Sequence, residues 1–197
     1  VENWHYSRRM PKSKIVKYGV WEDERFIGTV LYGVGATRHL VNPYGLIPEE
    51  GCELLRVALK EHKNPVSKII SITIKMLKRQ SPNLKLIVSF ADSNENHTGG
   101  IYQAGNWIYN GKSVGSYWFK DKKGKIWHPR NVGKNLNKSS ICVRPQDCEK
   151  IWKNGKYRYL YPLNKGIRKQ IKLLSKPYPK KNCDAGVIRS IPSVQDG

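Results

Sequence analysis

The stretch "SFADSNENHTGGIYQAGNWIYNG", Ser89 to Gly111, decides how the rest of the chain is read. It continues the apolar run "LKLIV", so Ser89–Asp92 closes a strand of the kind buried on both faces of a sheet. Asp92 leaves one carboxylate at the tip of that strand. The polar residues that follow read as a loop, "NHTGGIYQAG" as a short helix of small residues, and "NWIYNG" as the next strand. Helices alternating with strands in this way predict an α/β (α+β) fold, a mixed sheet with helices on its faces.

Upstream, "KIVKYGVWEDERFIGTVLYGVGA" alternates apolar and polar residues on both sides of Asp23-Glu24, the pattern of an antiparallel hairpin. "CELLRVALK" predicts a strand carrying Leu54 or Leu55, Val57 and Leu59 near period two. "HKNPVSKIISITIKMLKRQ" places Val66, Ile69, Ile70, Thr73, Met76 and Leu77 along one helical stripe. Downstream, "SYWFKDKKGKIWHP" reads as a hairpin with a basic turn and "RPQDCEKIW" as a short helix. "KYRYLYPL" reads as a strand, and "GIRKQIKLLSKPYPKK" as a basic helix ended by Pro177.

Charge divides the chain. Residues 111–181 hold 20 Lys and Arg against 3 Asp and Glu, a net +17, whereas residues 1–110 hold 15 against 10, a net +5. Trp and Tyr are interleaved with the cations, which suits a partner made of bases and phosphates. The organisation expected is a catalytic core over 1–110 and a basic aromatic segment over 111–181 that completes the sheet and contacts nucleic acid. A mobile tail is expected over 182–197. No run of 18 apolar residues predicts a membrane helix, and no basic-then-apolar leader predicts a signal peptide. Cys52, Cys142, Cys148 and Cys183 lack CxxC spacing and read as free thiols. "NPYG" at 42–45 reads as a turn. The absence of a His-x-Glu/CxxC pair excludes a zinc deaminase.

The order "ELLRVALK", helix, "LKLIVSFAD", "IYQAGNWIYNG" resembles the core of the GCN5-related N-acyltransferases, whose sheet is mixed and mainly antiparallel. Asn106-Trp107 stands where those proteins usually carry Gly-Phe. More closely, "WHYSRRMP", "ELLRVALK", "FADSNENHTGGIYQAGNWIYNG" and "KYRYLYPLNKGIRKQI" together resemble the phage Mom family over about residues 4–175. The resemblance implies a transferase that converts adenine N6 in double-stranded DNA to a carbamoylmethyl form. It would act in the host-cell cytoplasm and protect the DNA from restriction. The alternatives are an acyltransferase acting on another amine and a nucleic-acid-binding protein without catalysis.

The chemistry assigns candidate roles. Adenine N6 is a weak nucleophile, since its lone pair is delocalised, and it must leave the base stack to react. Asp92 is the candidate acceptor for its proton, with a helix cap as the alternative. By the same resemblance Tyr102 lies where the acyltransferases often place the acid for the leaving group, with core packing as the alternative, and His97 is either a base or a loop residue. His5 and Tyr6, with Asp92, form a candidate ligand set for a metal such as iron; otherwise Tyr6 stacks on a flipped base. Arg56 interrupts an apolar strand, so it meets either a carboxylate such as Glu53 or Asp92, or an anionic substrate group. Val66, Ser67 and Lys68, at the helix start, are the candidate donor site. The glycine loop that grips coenzyme A in the acyltransferases is replaced by "HKNPVSK", so acetyl-CoA and a charged tRNA both stand as donors. Arg8, Arg9, Arg158, Arg168, Lys169, Tyr157 and Tyr159 are the candidate DNA contacts. The oligomeric state is open, a homodimer included.

Overall fold

The fold comes from a computed structural model that describes Met10 and residues 14–35, 37–132 and 144–180. Nine strands and three α-helices follow one another among these residues. Strands β1 (Ile15–Glu22) and β2 (Arg25–Gly33) form the expected hairpin. Its turn residues Asp23 and Glu24 have φ of 47° and 63°, the primed-turn geometry that matches strand twist. Strand β3 (Gly51–Leu59) leads into helix α1 (Val66–Gln80) and strand β4 (Leu86–Asp92). Helix α2 (Gly100–Gln103) and strand β5 (Ile108–Lys112) come next. After them come β6 (Ser116–Lys120), β7 (Ile126–Trp127), β8 (Glu149–Lys153), β9 (Lys156–Pro162) and helix α3 (Lys165–Lys172).

The central sheet has the order β1-β2-β3-β4-β9-β5 and is antiparallel except between β3 and β4. This is the mixed, mainly antiparallel sheet flanked by helices that the sequence implied. From the basic segment, β9 enters this sheet, between β4 and β5, while β6, β7 and β8 form a small sheet of their own. The helix expected in "RPQDCEKIW" is a single 3-10 turn at Pro145–Asp147 followed by β8. Proline opens the turn, and Glu149–Lys153 then pairs in register with β6.

One face of the central sheet carries Tyr32, Leu54, Ile87, Ala91 and Tyr159 beneath α1 and α2. The other carries Leu86, Val88 and Leu160 beneath α3, whose Ile167 and Ile171 are its buried residues. The β2–β3 register shifts between Leu31 and Tyr32, where Arg56 and Leu54 are the successive partners, so Leu55 is bulged out of the ladder. The bulge brings Leu54, Val57 and Leu59 to one face despite their uneven spacing. Arg56 lands on the opposite face, across from Leu31.

Parallel pairing of β3 with β4 covers only Gly51–Glu53 and Leu86–Val88. Beyond it the strands diverge, each keeping its other neighbour. That opening is what positions the site.

Candidate functional site

The divergence of β3 and β4 opens a cleft of about 1680 Å³. It reaches both faces of the sheet. Leu54, Val66, Tyr102 and Gln103 line it on the side of α1 and α2, and Arg56, Phe90, Asp92 and Lys156 on the side of α3. At the vertex, the Ser89 hydroxyl lies 2.9 Å from the Leu54 carbonyl and 2.8 Å from the Tyr102 hydroxyl. A serine has one hydroxyl proton. With that proton on the Leu54 carbonyl, Ser89 accepts from Tyr102, so a short relay spans the split.

Asp92 closes β4 with its side chain 14% exposed. Its Oδ1 accepts from the backbone N–H and the side-chain amide of Asn94, at 3.0 and 2.9 Å, so the cap alternative describes part of its role. Its Oδ2 faces the Lys156 ammonium at 3.1 Å. Burial pushes the carboxyl pKa up, but Asn94 and Lys156 outweigh it and hold the group below the usual carboxylate range. Asp92 is therefore an anion at neutral pH and a weak base. It can accept a hydrogen bond and offset positive charge growing on a nearby amine.

Tyr102 sits in the cleft wall, 7% exposed, with its ring against Trp107 and Tyr159. The packing alternative therefore holds for the ring, and the hydroxyl rests on Ser89. Trp107 is buried at 1%, and Asn106 before it has φ of 55°. Only Gly or Asn enters that conformation routinely, which accounts for Asn106 where the acyltransferases carry Gly.

Arg56 pairs with neither Glu53 nor Asp92: no described carboxylate lies within ion-pair distance. Its Nη1 donates to the Leu55 carbonyl at 2.6 Å, and its Nε is buried without a partner among the described residues. An orphaned guanidinium donor in a cleft suits an anionic ligand. The structure adds residues that the sequence reading passed over. Lys156 was read as the start of a strand pattern, and Arg130 and Lys180 also line the cleft.

The start of α1 is occupied differently from a phosphate cradle. The Glu22 carboxylate accepts from the Lys63 and Asn64 backbone N–H groups at 2.8 and 2.9 Å, and from the Asn64 side chain at 2.8 Å. These bonds, the Lys63 N–H first, hold its pKa down to about 2. Lys68 donates to Asn64 Oδ1 at 2.8 Å. A protein carboxylate thus takes the amides that precede the helix. Of the three expected donor contacts, Val66 alone is in the cleft lining, with Ser67 and Lys68 outside it.

The expected DNA contacts divide. Arg168 and Lys169 are exposed on α3 beside Lys165 and Lys172. Tyr159 is fully buried: its hydroxyl donates to the Thr98 carbonyl and accepts from Gln103 at 3.1 Å, and burial raises its pKa to about 12. It is a prop under α2 and cannot stack on a base. Arg158 is half-buried with its guanidinium 5.7 Å from the Phe90 ring centre, turned into the α3-side layer instead of toward a phosphate. Tyr157 is half-buried, with the Lys112 ammonium 5.2 Å from its ring centre.

His5, Tyr6, Arg8 and Arg9 lie outside the described residues, as does the expected tail at 182–197. Among the described residues no group of His, Cys, Asp and Glu is arranged to hold a metal ion. Of the expected iron set, Asp92 alone is described, and its oxygens meet Lys156 and Asn94. No described helix is long and apolar enough to cross a membrane.

Comparison with known proteins adds family to geometry. Methylcarbamoylase mom of Escherichia phage Mu is 27% identical over 200 residues, covering 91% of this chain and 78% of that protein. Among solved structures, Campylobacter jejuni N-acetyltransferase PseH in complex with acetyl coenzyme A is 12% identical. The match covers 78% of this chain and 71% of that one, with a TM-score of 0.41. A Bacillus subtilis acetyltransferase in complex with CoA is also 12% identical, over 75% of this chain and 76% of that one, with a TM-score of 0.40. The model of the Mom protein family matches residues 1–180, and the chain belongs to that family.

Proposed function

We propose that this protein is a phage-type DNA-modifying transferase that converts adenine N6 to a carbamoylmethyl form and so shields DNA from restriction. The observation that carries the reading is the ionised Asp92 at the edge of a cleft that passes through the sheet, in a member of the Mom family. A transfer reaction brings two molecules together. A cleft open to both faces of a sheet lets donor and acceptor approach from opposite sides, which turns a bimolecular encounter into a positioned one.

The acceptor side is the α3 side, where Arg56, Asp92 and Lys156 face the cleft and α3 presents Arg168 and Lys169. As the adenine amine attacks, positive charge grows on N6. Asp92 accepts a hydrogen bond from that amine and offsets the charge, while Lys156 keeps the carboxylate ionised. Arg56 pairs with an anionic group of donor or nucleotide through its orphaned Nε. The donor side is the α1–α2 side, where Tyr102 can turn its hydroxyl proton from Ser89 to the departing group while Ser89 turns its own from the Leu54 carbonyl to the Tyr102 oxygen. With Glu22 on the loop amides, a donor held by its acyl end fits this side better than one gripped by a pyrophosphate. A glycyl donor is the class proposed: transfer of its acyl group to N6 releases the carrier and gives a glycylamide, which has the same atoms as the carbamoylmethyl group and becomes it by rearrangement, with nothing added or lost.

Mass spectrometry of nucleosides from the DNA of expressing cells tests the reading. An adenine adduct with the mass of the carbamoylmethyl group is expected. Unmodified deoxyadenosine throughout, with the protein present and folded, overturns it.

A further inference from the structure

Asp92 stands where two cavities meet. Beyond the cleft lies a second cavity of about 410 Å³, and Asp92, Glu95, Ser113 and Lys156 line both. Nothing in the reaction above uses it. Its remaining lining comes mainly from the small sheet and the turn between β8 and β9: Trp118, Ile126 and His128, with Lys153 and Asn154.

These groups are fixed in place. Trp118 and His128 meet edge to face at 4.9 Å between ring centres. The Arg130 backbone N–H donates to His128 Nδ1 at 3.1 Å, so the neutral ring carries its proton on Nε2. Burial first, then the Arg130 and Lys156 charges, hold the His128 pKa below its ordinary value, so the ring is neutral at pH 7. The turn is pinned to the residues after β4. Asn94 donates to the Asn154 carbonyl at 3.0 Å and accepts its N–H at 2.9 Å, and Ser93 donates to the Gly155 carbonyl at 2.6 Å.

The size is within the roughly 300–1,000 Å³ of small-ligand cavities, enough for one nucleotide but not for a duplex. The lining offers what a single extruded nucleotide needs: an aromatic surface for stacking, an imidazole N–H and an amide for its edge, and Lys153 for its phosphate. The position adds a further argument. An amine on a base held here stands at the boundary with the cleft, where Asp92 is.

We propose that this smaller cavity receives the extruded purine nucleotide, stacked on Trp118, with its exocyclic amine at the Asp92 boundary. The proposal rests on the reading of DNA adenine as the acceptor. It places base and donor in separate chambers that join at one carboxylate.

Binding alone tests it. A mismatched base costs less to extrude, so a duplex with one A·C mismatch should bind the protein about tenfold more tightly than its fully paired counterpart. A T·C mismatch should bring no such gain. Trp118→Leu and Ile126→Gln should each remove the gain while leaving the fully paired duplex within about twofold, since stacking contributes on that scale. Ile126 is 43% exposed, so its replacement leaves the fold in place even if the change at Trp118 does not. No A·C preference in the unaltered protein overturns the proposal, as does a preference that survives both replacements or an equal loss for both duplexes. Failure here, with an adenine adduct still present in cellular DNA, refutes the cavity assignment and leaves the function standing.

Discussion

Replacing Asp92 by Asn separates its structural part from its chemical part. Asn keeps the shape and an oxygen that can accept the Asn94 N–H, so the cap largely survives. What disappears is the charge facing Lys156. That pair is partly exposed, with side-chain exposures of 46% for Lys156 and 14% for Asp92, so its loss costs about 1 kcal/mol or less. For a chain of this size that is a fall in Tm of about 2–4 °C. Activity should respond far more. If the carboxylate offsets charge on the attacking amine, the adduct should fall by ~10²-fold or more. Asp92→Ala adds loss of the cap, about 0.5–2 kcal/mol further, with no further loss of activity. The measurements are adduct per deoxyadenosine by mass spectrometry and thermal unfolding of the same variants. The pH dependence follows from the depressed pKa. The stability from this carboxylate is fully present above its unfolded value near 3.9 and is lost as pH falls through the lower folded value. Asp92→Asn should flatten that acid limb. Activity within twofold of the parent in Asp92→Asn, together with a clear loss of stability in Asp92→Ala, reduces Asp92 to a cap and refutes the reasoning.

Gly99 has φ of 84°, and an added Cβ would lie 2.3 Å from the Tyr159 ring. Gly99→Ala should therefore cost about 2–5 kcal/mol in urea unfolding, from left-handed strain and overpacking together; a change under 1 kcal/mol contradicts it. If α3 grips phosphates, the pair Arg168→Ala and Lys169→Ala should flatten the slope of log affinity against log salt by about 2, equally for all duplex sequences. Calorimetry should find no submicromolar binding of acetyl-CoA, because Glu22 occupies the loop amides; tight binding would show that this carboxylate yields to a pyrophosphate.

Much of the sheet was legible because strands and helices write their periods into the sequence. β1, β2, β4, β9 and α1 all stand where the alternation or the helical stripe placed them. Asp92 was legible as a strand-end carboxylate. The bulge at Leu55 was not, since a one-residue slip leaves no mark in composition, and it is what turns Arg56 to the α3 side of the sheet. The tyrosines of β9 misled for a related reason. Alternation tells which residues share a face, but not whether that face is covered, and Tyr159 lies under α2. Glu22 and Lys156 gained their roles from partners 41 and 64 positions away, Lys63 and Asp92, and one sequence does not reveal such pairings.

The place of β9 in the sheet has a consequence for how the enzyme comes into being. Lys156 belongs to β9, the last strand among the described residues, and that strand inserts between two that precede it by some fifty to seventy residues. A chain emerging from the ribosome can form the β1–β2 hairpin early, but β4 and β5 wait as bare edges until β9 arrives. Until then Asp92 lacks its counter-charge, and the wall of the cleft is unfinished. The cleft is thus completed only once β9 has been made. Chains ending before Lys156 hold every residue of Ser89–Gly111 but lack one wall of the cleft, and their open strand edges expose them to aggregation and proteolysis.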